Sequence, residues 1–254
     1  MTAVGFIGTG HIAAPMARAL VRKGHRVTVS DRNATVAATL VEAGLGIDVA
    51  PNQGVIDASE TVFLCLRPAV WGAALDGLTW REDQRIVSVM AGPTLAEIAA
   101  ACAPVTRIGA TIPYGFIEAG GCPLPVAGDP AALQALFGDD NPVLPLAEEA
   151  ALASLFAASA LVSGVLAMLE EASGWLADRT GDADAAEVYV ANLVSGVLTN
   201  LPKSAAGQLA SEKAALATPN TLNRQMVDGL TEAGSLAPLP GILERIAASM
   251  ERKP

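Results

Sequence analysis

One short turn limits what this chain can become more than any other feature. Residues 3–7 form an apolar run, and Gly8-Thr9-Gly10-His11-Ile12-Ala13 follows it directly. A helix-period stretch covers 12–22, and a second apolar run covers 26–30. Strand, turn, helix and strand in this length make a βαβ crossover. In Gly8-x-Gly10-x-x-Ala13 each small residue has a separate task. Gly8 permits the tight turn, Gly10 lets a pyrophosphate approach the backbone, and Ala13 lets the helix close on the strand. The anion would rest on the free N–H groups that open the helix. An acid, Asp31, stands 21 residues beyond Gly10, where a ribose-binding residue belongs.

The spacing therefore predicts a dinucleotide site built on Gly8, Thr9, Gly10, His11, Ile12 and Ala13. The end of the second strand leaves two cofactors open. Asp31 can accept hydrogen bonds from a ribose diol, which suits NAD(H). Arg32, with Ser30 and Asn33, can hold a 2′-phosphate, which suits NADP(H). We favour NADP(H). Leu66, Arg67, Pro68, Ala91 and Gly92 stand at the ends of later strands and complete the expected cofactor site.

With 254 residues, 52% hydrophobic and 17% charged, the chain can bury one large or two ordinary cores. A net charge of −10 argues against nucleic acid or an anionic membrane as partner. Cys65, Cys102 and Cys122 form no CxxC or Cys/His cluster, so neither a metal site nor a disulfide framework is expected. The opening residues enter a strand without a basic stretch, so we expect no leader and a cytoplasmic protein. Residues 150–169 carry no charge and are long enough to span a bilayer. They are rich in Ala and Ser, and acids rather than Lys or Arg flank them, so a helix buried in the protein or in an oligomer is expected.

From residue 1 to about 146, short strands alternate with helices, the pattern of a doubly wound α/β sheet. Strands are expected at 61–66, 85–90, 105–108, 123–126 and 142–146. Helices are expected at 33–43, 51–58, 95–102 and 130–137. Thr94 and Glu97 are spaced as a capping box for the third of these helices. From 147 to 254 only helical patterns remain, at 147–180, 182–200, 203–215 and 223–252. We therefore read residues 1–146 as a Rossmann dinucleotide-binding domain and 147–254 as an all-helical domain. The latter has too little polar surface to stand alone, and burial against a twin chain is the expected remedy.

The N-terminal fingerprint, Leu66-Arg67-Pro68, Ser88-Val89-Met90-Ala91-Gly92 and Arg107 with Pro113 occur in the order seen in pyrroline-5-carboxylate reductases, which the chain resembles. Residues 216–223 look like a variant of that family's serine–proline–glycine–glycine–threonine loop. The resemblance is good to about residue 92 and thinner beyond it. It implies NAD(P)H-dependent reduction of a C=N bond, a helical homodimer, and a place in proline biosynthesis. There are departures in the substrate regions. Thr111 stands where the family has asparagine, Val162-Ser163-Gly164-Val165 replaces a Ser-Gly-Ser-Gly-Pro turn, and Asn220 and Thr221 replace the two loop glycines. By position, the resemblance points to Thr111, Ser163, Thr218 and Asn220 as substrate contacts.

A carbonyl acceptor needs a proton donor, because an alkoxide develops. Donors are scarce here. His11 lies in the phosphate turn, His25 precedes the second strand, and no lysine occurs between Lys23 and Lys203. β-Hydroxyacid dehydrogenases use a lysine on the first interdomain helix, and this chain has none there. A cyclic imine enters already protonated, so the residues favour an imine. Tyr114, Tyr189 and Ser163 remain as possible donors, and Tyr114 after Pro113 also suits a pocket wall. Two rivals stay open: an NAD(P)-dependent carbonyl or hydroxyacid dehydrogenase, and a dinucleotide-binding dimer without catalysis.

Overall fold

Apolar runs with no polar alternation are strands buried on both faces, and here they form one sheet. The computed structural model describes residues 1–31, 34–203 and 205–251. In chain order the first unit contains β1 (Ala3–Ile7), α1 (Ala13–Arg22), β2 (Arg26–Ser30), α2 (Ala34–Glu42), β3 (Asp48–Ala50), α3 (Asn52–Asp57) and β4 (Thr61–Leu64). It continues with α4 (Trp71–Leu75), β5 (Arg85–Ser88), α5 (Leu95–Ala101), β6 (Arg107–Thr111), β7 (Leu124–Gly128), α6 (Ala131–Phe137), β8 (Val143–Pro145) and the first part of α7 (Ala151–Ser159). A 3₁₀ turn at Gly115–Ala119 precedes β7. The eight strands lie in the order β3-β2-β1-β4-β5-β6-β7-β8. All pairs are parallel except β6 with β7. Residues 112–123, which include the 3₁₀ turn and no α-helix, connect those two strands, and β7 returns antiparallel beside β6.

Register places large side chains over one another. Phe6 pairs with Phe63 across β1 and β4. Their rings stack at 5.0 Å, and Phe137 of α6 meets Phe63 edge-on at 6.1 Å. This face also takes Met16 and Leu20 of α1. The other face buries Ile7, Leu64 and Ile86 under Val55 and Ile56 of α3 and Ile98 of α5. Each such side chain contributes about 1.5–3 kcal/mol, so the two layers anchor the strand ends that form the site. The Thr94–Glu97 capping box forms as the sequence predicts: Glu97 N–H donates to Thr94 Oγ1, and Thr94 N–H donates to Glu97 Oε2.

Glu118 fastens the 3₁₀ turn to α1. Arg18 Nη2 reaches its Oε2 at 2.6 Å, and Arg22 Nη2 reaches its Oε1 at 2.5 Å. The Arg18 hydrogen bond, aided by the charges of both arginines and opposed by burial, holds this carboxyl below its ordinary range. A depressed carboxylate stabilises the fold above the unfolded pKa of about 4.3, and that contribution is lost as pH falls through the folded value. Glu118→Gln should therefore cost about 1 kcal/mol near pH 7. Urea unfolding at about pH 7 and about pH 3 checks this: the gap between variant and wild type should close at the lower pH, and a gap equal at both would exclude the ion pair as its source.

The sequence boundary near 146 falls at the end of β8. The first compact unit runs further, through Phe156, because Leu152 and Phe156 of α7 lie against Ala110 and Ile112. The second unit, Ala157–Ser249, holds α8 (Leu161–Thr180), α9 (Ala183–Asn200), α10 (Gln208–Leu216), α11 (Leu222–Glu232) and α12 (Leu239–Glu251, which ends just past it). The helix expected over 147–180 is broken, because the ladder tightens at Ala160, whose N–H reaches only to Ala157 O at 3.1 Å. The helix expected over 223–252 is likewise two. Ser235 N–H bonds back to Leu230 O at 3.0 Å, Gly234 lies at φ +65°, and Pro238 and Pro240 open the next helix. Asp182 caps α9 through Ala185 N–H at 2.9 Å. Among the described residues, α8 buries no side chain and α9 buries only Ala186 and Val190. By length and composition Ala151–Thr180 could also cross a bilayer.

Candidate cofactor and substrate site

The glycine turn is held from behind. Gly8 N–H donates to Ser30 Oγ at 2.9 Å, and Thr9 Oγ1 donates to Ser30 O at 2.8 Å. Gly8 adopts φ +94°, and a Cβ there would stand 2.4 Å from Cys65 O. Gly10 differs: a Cβ on it would meet no atom within 4 Å. The space over Gly10 is thus free for a ligand, whereas the space over Gly8 belongs to β4. Gly10 O accepts from Ala14 N–H at 3.0 Å, and no side chain caps α1 or places an acid in its first turn. The opening N–H groups of α1 therefore face outward with the positive end of the helix dipole.

A cleft of about 620 Å³ covers this turn. Of the residues expected at the cofactor, Gly8, Thr9, Gly10, His11, Ile12, Ala13, Leu66 and Arg67 line it, together with Cys65, Val70 and Val89. Cys65 and Val89 adjoin motif residues and could have been found as the next positions along the same strand ends, whereas Val70 stands at the start of α4. Burial pushes the Cys65 thiol far up, so it is a neutral wall and not a nucleophile.

Four expected cofactor residues sit differently. Ser30, expected at a 2′-phosphate, is fully buried, and its hydroxyl accepts from Gly8, so it braces the turn instead. Pro68 and Ala91 are outside the lining of the cleft, and Gly92 lines a different cavity. Asp31 is exposed at the end of β2, its N–H bonded to Ala50 O at 3.2 Å. Arg32 and Asn33 lie outside the described residues.

That second cavity, about 450 Å³, lies at the carboxyl ends of β5 and β6. Met90, Gly92, Pro93, Thr94, Ala110 and Thr111 line one side, and residues 149–156 the other. Val89 lines the first space and Met90, the next residue in the chain, lines the second. Thr111 is buried there, and its hydroxyl has no hydrogen-bond partner among the described residues. Glu149 Oε1 accepts from Leu95 N–H at 2.7 Å. Glu149, Leu152 and Phe156 are additions to the sequence reading; the i, i+4 spacing of the last two was the available signal. Tyr114 lines neither space, and its ring stacks on Phe116 at 5.7 Å.

The remaining expected contacts belong to the second unit. Ser163 is exposed on α8. Thr218 and Asn220 form the turn before α11, with Asn220 at φ +66°. Thr221 Oγ1 donates to Thr218 O at 2.7 Å and accepts from Arg224 N–H at 3.2 Å, which caps the helix.

A sequence-family profile described as NADP oxidoreductase coenzyme F420-dependent matches residues 3–92. No curated protein matches the chain. A pyrroline-5-carboxylate reductase from Streptococcus pyogenes shares its fold at TM-score 0.82 and 17% identity, with 98% of each chain covered. A Plasmodium falciparum pyrroline carboxylate reductase, solved with NADP bound, gives TM-score 0.80 at 11% identity, covering 98% of this chain and 97% of that one. An imine reductase from Pseudomonas gives TM-score 0.64 at 19% identity, covering 98% and 90%.

Proposed function

We propose that this chain is an NADPH-dependent reductase of small imines. The first cleft fits a dinucleotide: open space over Gly10, outward N–H groups on α1, and the Arg67 cation beside them. Bound NADPH supplies a hydride at the nicotinamide. Leu66 and Arg67, which follow β4, and Val89, which follows β5, line the same cleft and would hold the cofactor there. The NADP-bound Plasmodium relative with the same fold supports this cofactor, and NADH stays in the test as the alternative.

The observation that carries imine over ketone is the lining of the second cavity. Among its described residues there is no Lys, His, Tyr or Cys. The Thr94 hydroxyl is committed to Glu97 Oε2 at 2.9 Å, and the Thr111 hydroxyl, without a hydrogen-bond partner among the described residues, has no group bonded to it that would return a proton it gave up. A ketone would leave an alkoxide that needs a donor. An iminium carries its proton in. When hydride adds to its carbon, the π pair of the C–N bond becomes the lone pair of a neutral amine, and no protein acid is consumed. That the fold relatives include a pyrroline-5-carboxylate reductase and an imine reductase supports this reading. Oxidation of NADPH and NADH should be followed with pyrroline-5-carboxylate, a six-membered cyclic imine and several 2-keto acids. Turnover of an imine with silence on the keto acids is the expected result. Turnover of the keto acids alone would defeat this reading. A place in proline biosynthesis requires the first substrate to be turned over.

We assign the exposed apolar surface of α8 and α9 to a second copy of the chain, which supports a homodimer over a membrane span. A cytoplasmic setting accords with three cysteines that are all free thiols.

A further inference from the structure

We propose that the second cavity is the substrate pocket and that it selects imines that carry no carboxylate. This rests on the imine-reductase reading above and names its substrate class. The volume of about 450 Å³ suits one small molecule. Met90, Pro93, Leu152 and Phe156 make most of the wall apolar. Among the described residues that line it, none is Lys or Arg, so no side-chain cation faces an entering carboxylate.

The one charge present has the opposite consequence. Glu149 lines the cavity, and its Oε1 takes the Leu95 N–H at the start of α5. That donor is therefore already occupied by a protein carboxylate. Glu149 is itself exposed, so a substrate carboxylate would meet like charge that solvent partly screens. A cationic iminium meets an attractive charge. The Thr111 hydroxyl has no partner among the described residues, which leaves this part of the wall able to accept a neutral polar group without displacing an internal bond. An apolar cavity with one carboxylate at its wall is complementary to a cation with a hydrocarbon body.

The test compares 2-methyl-1-pyrroline with pyrroline-5-carboxylate, which differ in the group at issue, in wild type and Glu149→Gln. The amide keeps an oxygen acceptor for Leu95 N–H, so the melting temperature should hold while the charge is lost. Wild type should prefer the uncharged-tail imine by about tenfold or more in kcat/KM. Glu149→Gln should shrink that ratio through KM. Equal or better use of pyrroline-5-carboxylate by wild type overturns the proposal, as does a ratio that the variant leaves unchanged. Calorimetry of 2-methylpyrrolidine and proline binding to the NADP⁺ complex reads the pocket without turnover. Preferential binding of 2-methylpyrrolidine with no turnover of either imine upholds the pocket and defeats the reductase reading. Tighter binding of proline defeats the pocket.

Discussion

Gly8→Ala should unfold this protein well below the wild-type temperature, while Gly10→Ala should leave its stability intact and strip it of cofactor. The two residues are separated by one position, and both belong to the same motif. Their surroundings are opposite. At Gly8 the added methyl meets Cys65 O at 2.4 Å and Cys65 C at 2.8 Å, on a backbone at φ +94°. Neither obstacle is a flexible side chain, so the ends of β1 and β4 must separate. The positive φ alone costs roughly 1 kcal/mol, and the displaced strand end brings the total to about 3 kcal/mol or more. For a protein of this size that is a drop of about 10 °C in Tm. At Gly10 the methyl meets nothing of the protein and would enter the space kept for the pyrophosphate. NADPH affinity should fall on the order of 100-fold, about 2.7 kcal/mol. Thermal melts and NADPH titration of both variants check this. Should Gly10→Ala bind NADPH as wild type does, the cofactor does not lie over this turn.

The same contrast shows what a sequence can reveal. The strand–turn–helix pattern around Gly8, Gly10 and Ala13 is local, and so is the Thr94–Glu97 capping box. Both are read from spacing because helix and turn geometry relate residues only a few positions apart. The strand end at Leu66-Arg67 is legible for the same reason, since an apolar run stops at a proline. Ser30 is different. That its hydroxyl holds Gly8 depends on β2 lying parallel to β1 in one particular register, and no spacing in the sequence encodes that. The second cavity is harder still, because its two walls come from residues 90–111 and 149–156, which meet only through the fold. The broken helices mark a third limit. Alanine continues a helix so readily that the turn at Ala160 has no local stop signal, whereas Gly234 and the prolines after it did offer one.

Replacing Leu166 and Leu193 together by Glu should convert a dimer into a monomer. Of the twenty-one large hydrophobic side chains exposed among the described residues, sixteen belong to the second unit. Leu166 is 58% and Leu193 53% exposed, on α8 and α9. Exposed apolar side chains concentrated on one unit are what an interaction surface presents. In a two-fold interface each substitution is made twice. Every leucine removed forfeits about 2 kcal/mol of burial, and every glutamate placed there must be desolvated. Dissociation should therefore strengthen by roughly 1,000-fold or more, about 4 kcal/mol at the least. Sedimentation velocity reads the mass directly. Stability gives an independent check. If these leucines faced water in the native protein, glutamate would change stability by no more than about 0.5 kcal/mol. A large loss in Tm together with a halved mass identifies the face as an interface between copies. A wild-type monomer that partitions into lipid vesicles would assign it to the bilayer instead, in keeping with the length and apolarity of Ala151–Thr180.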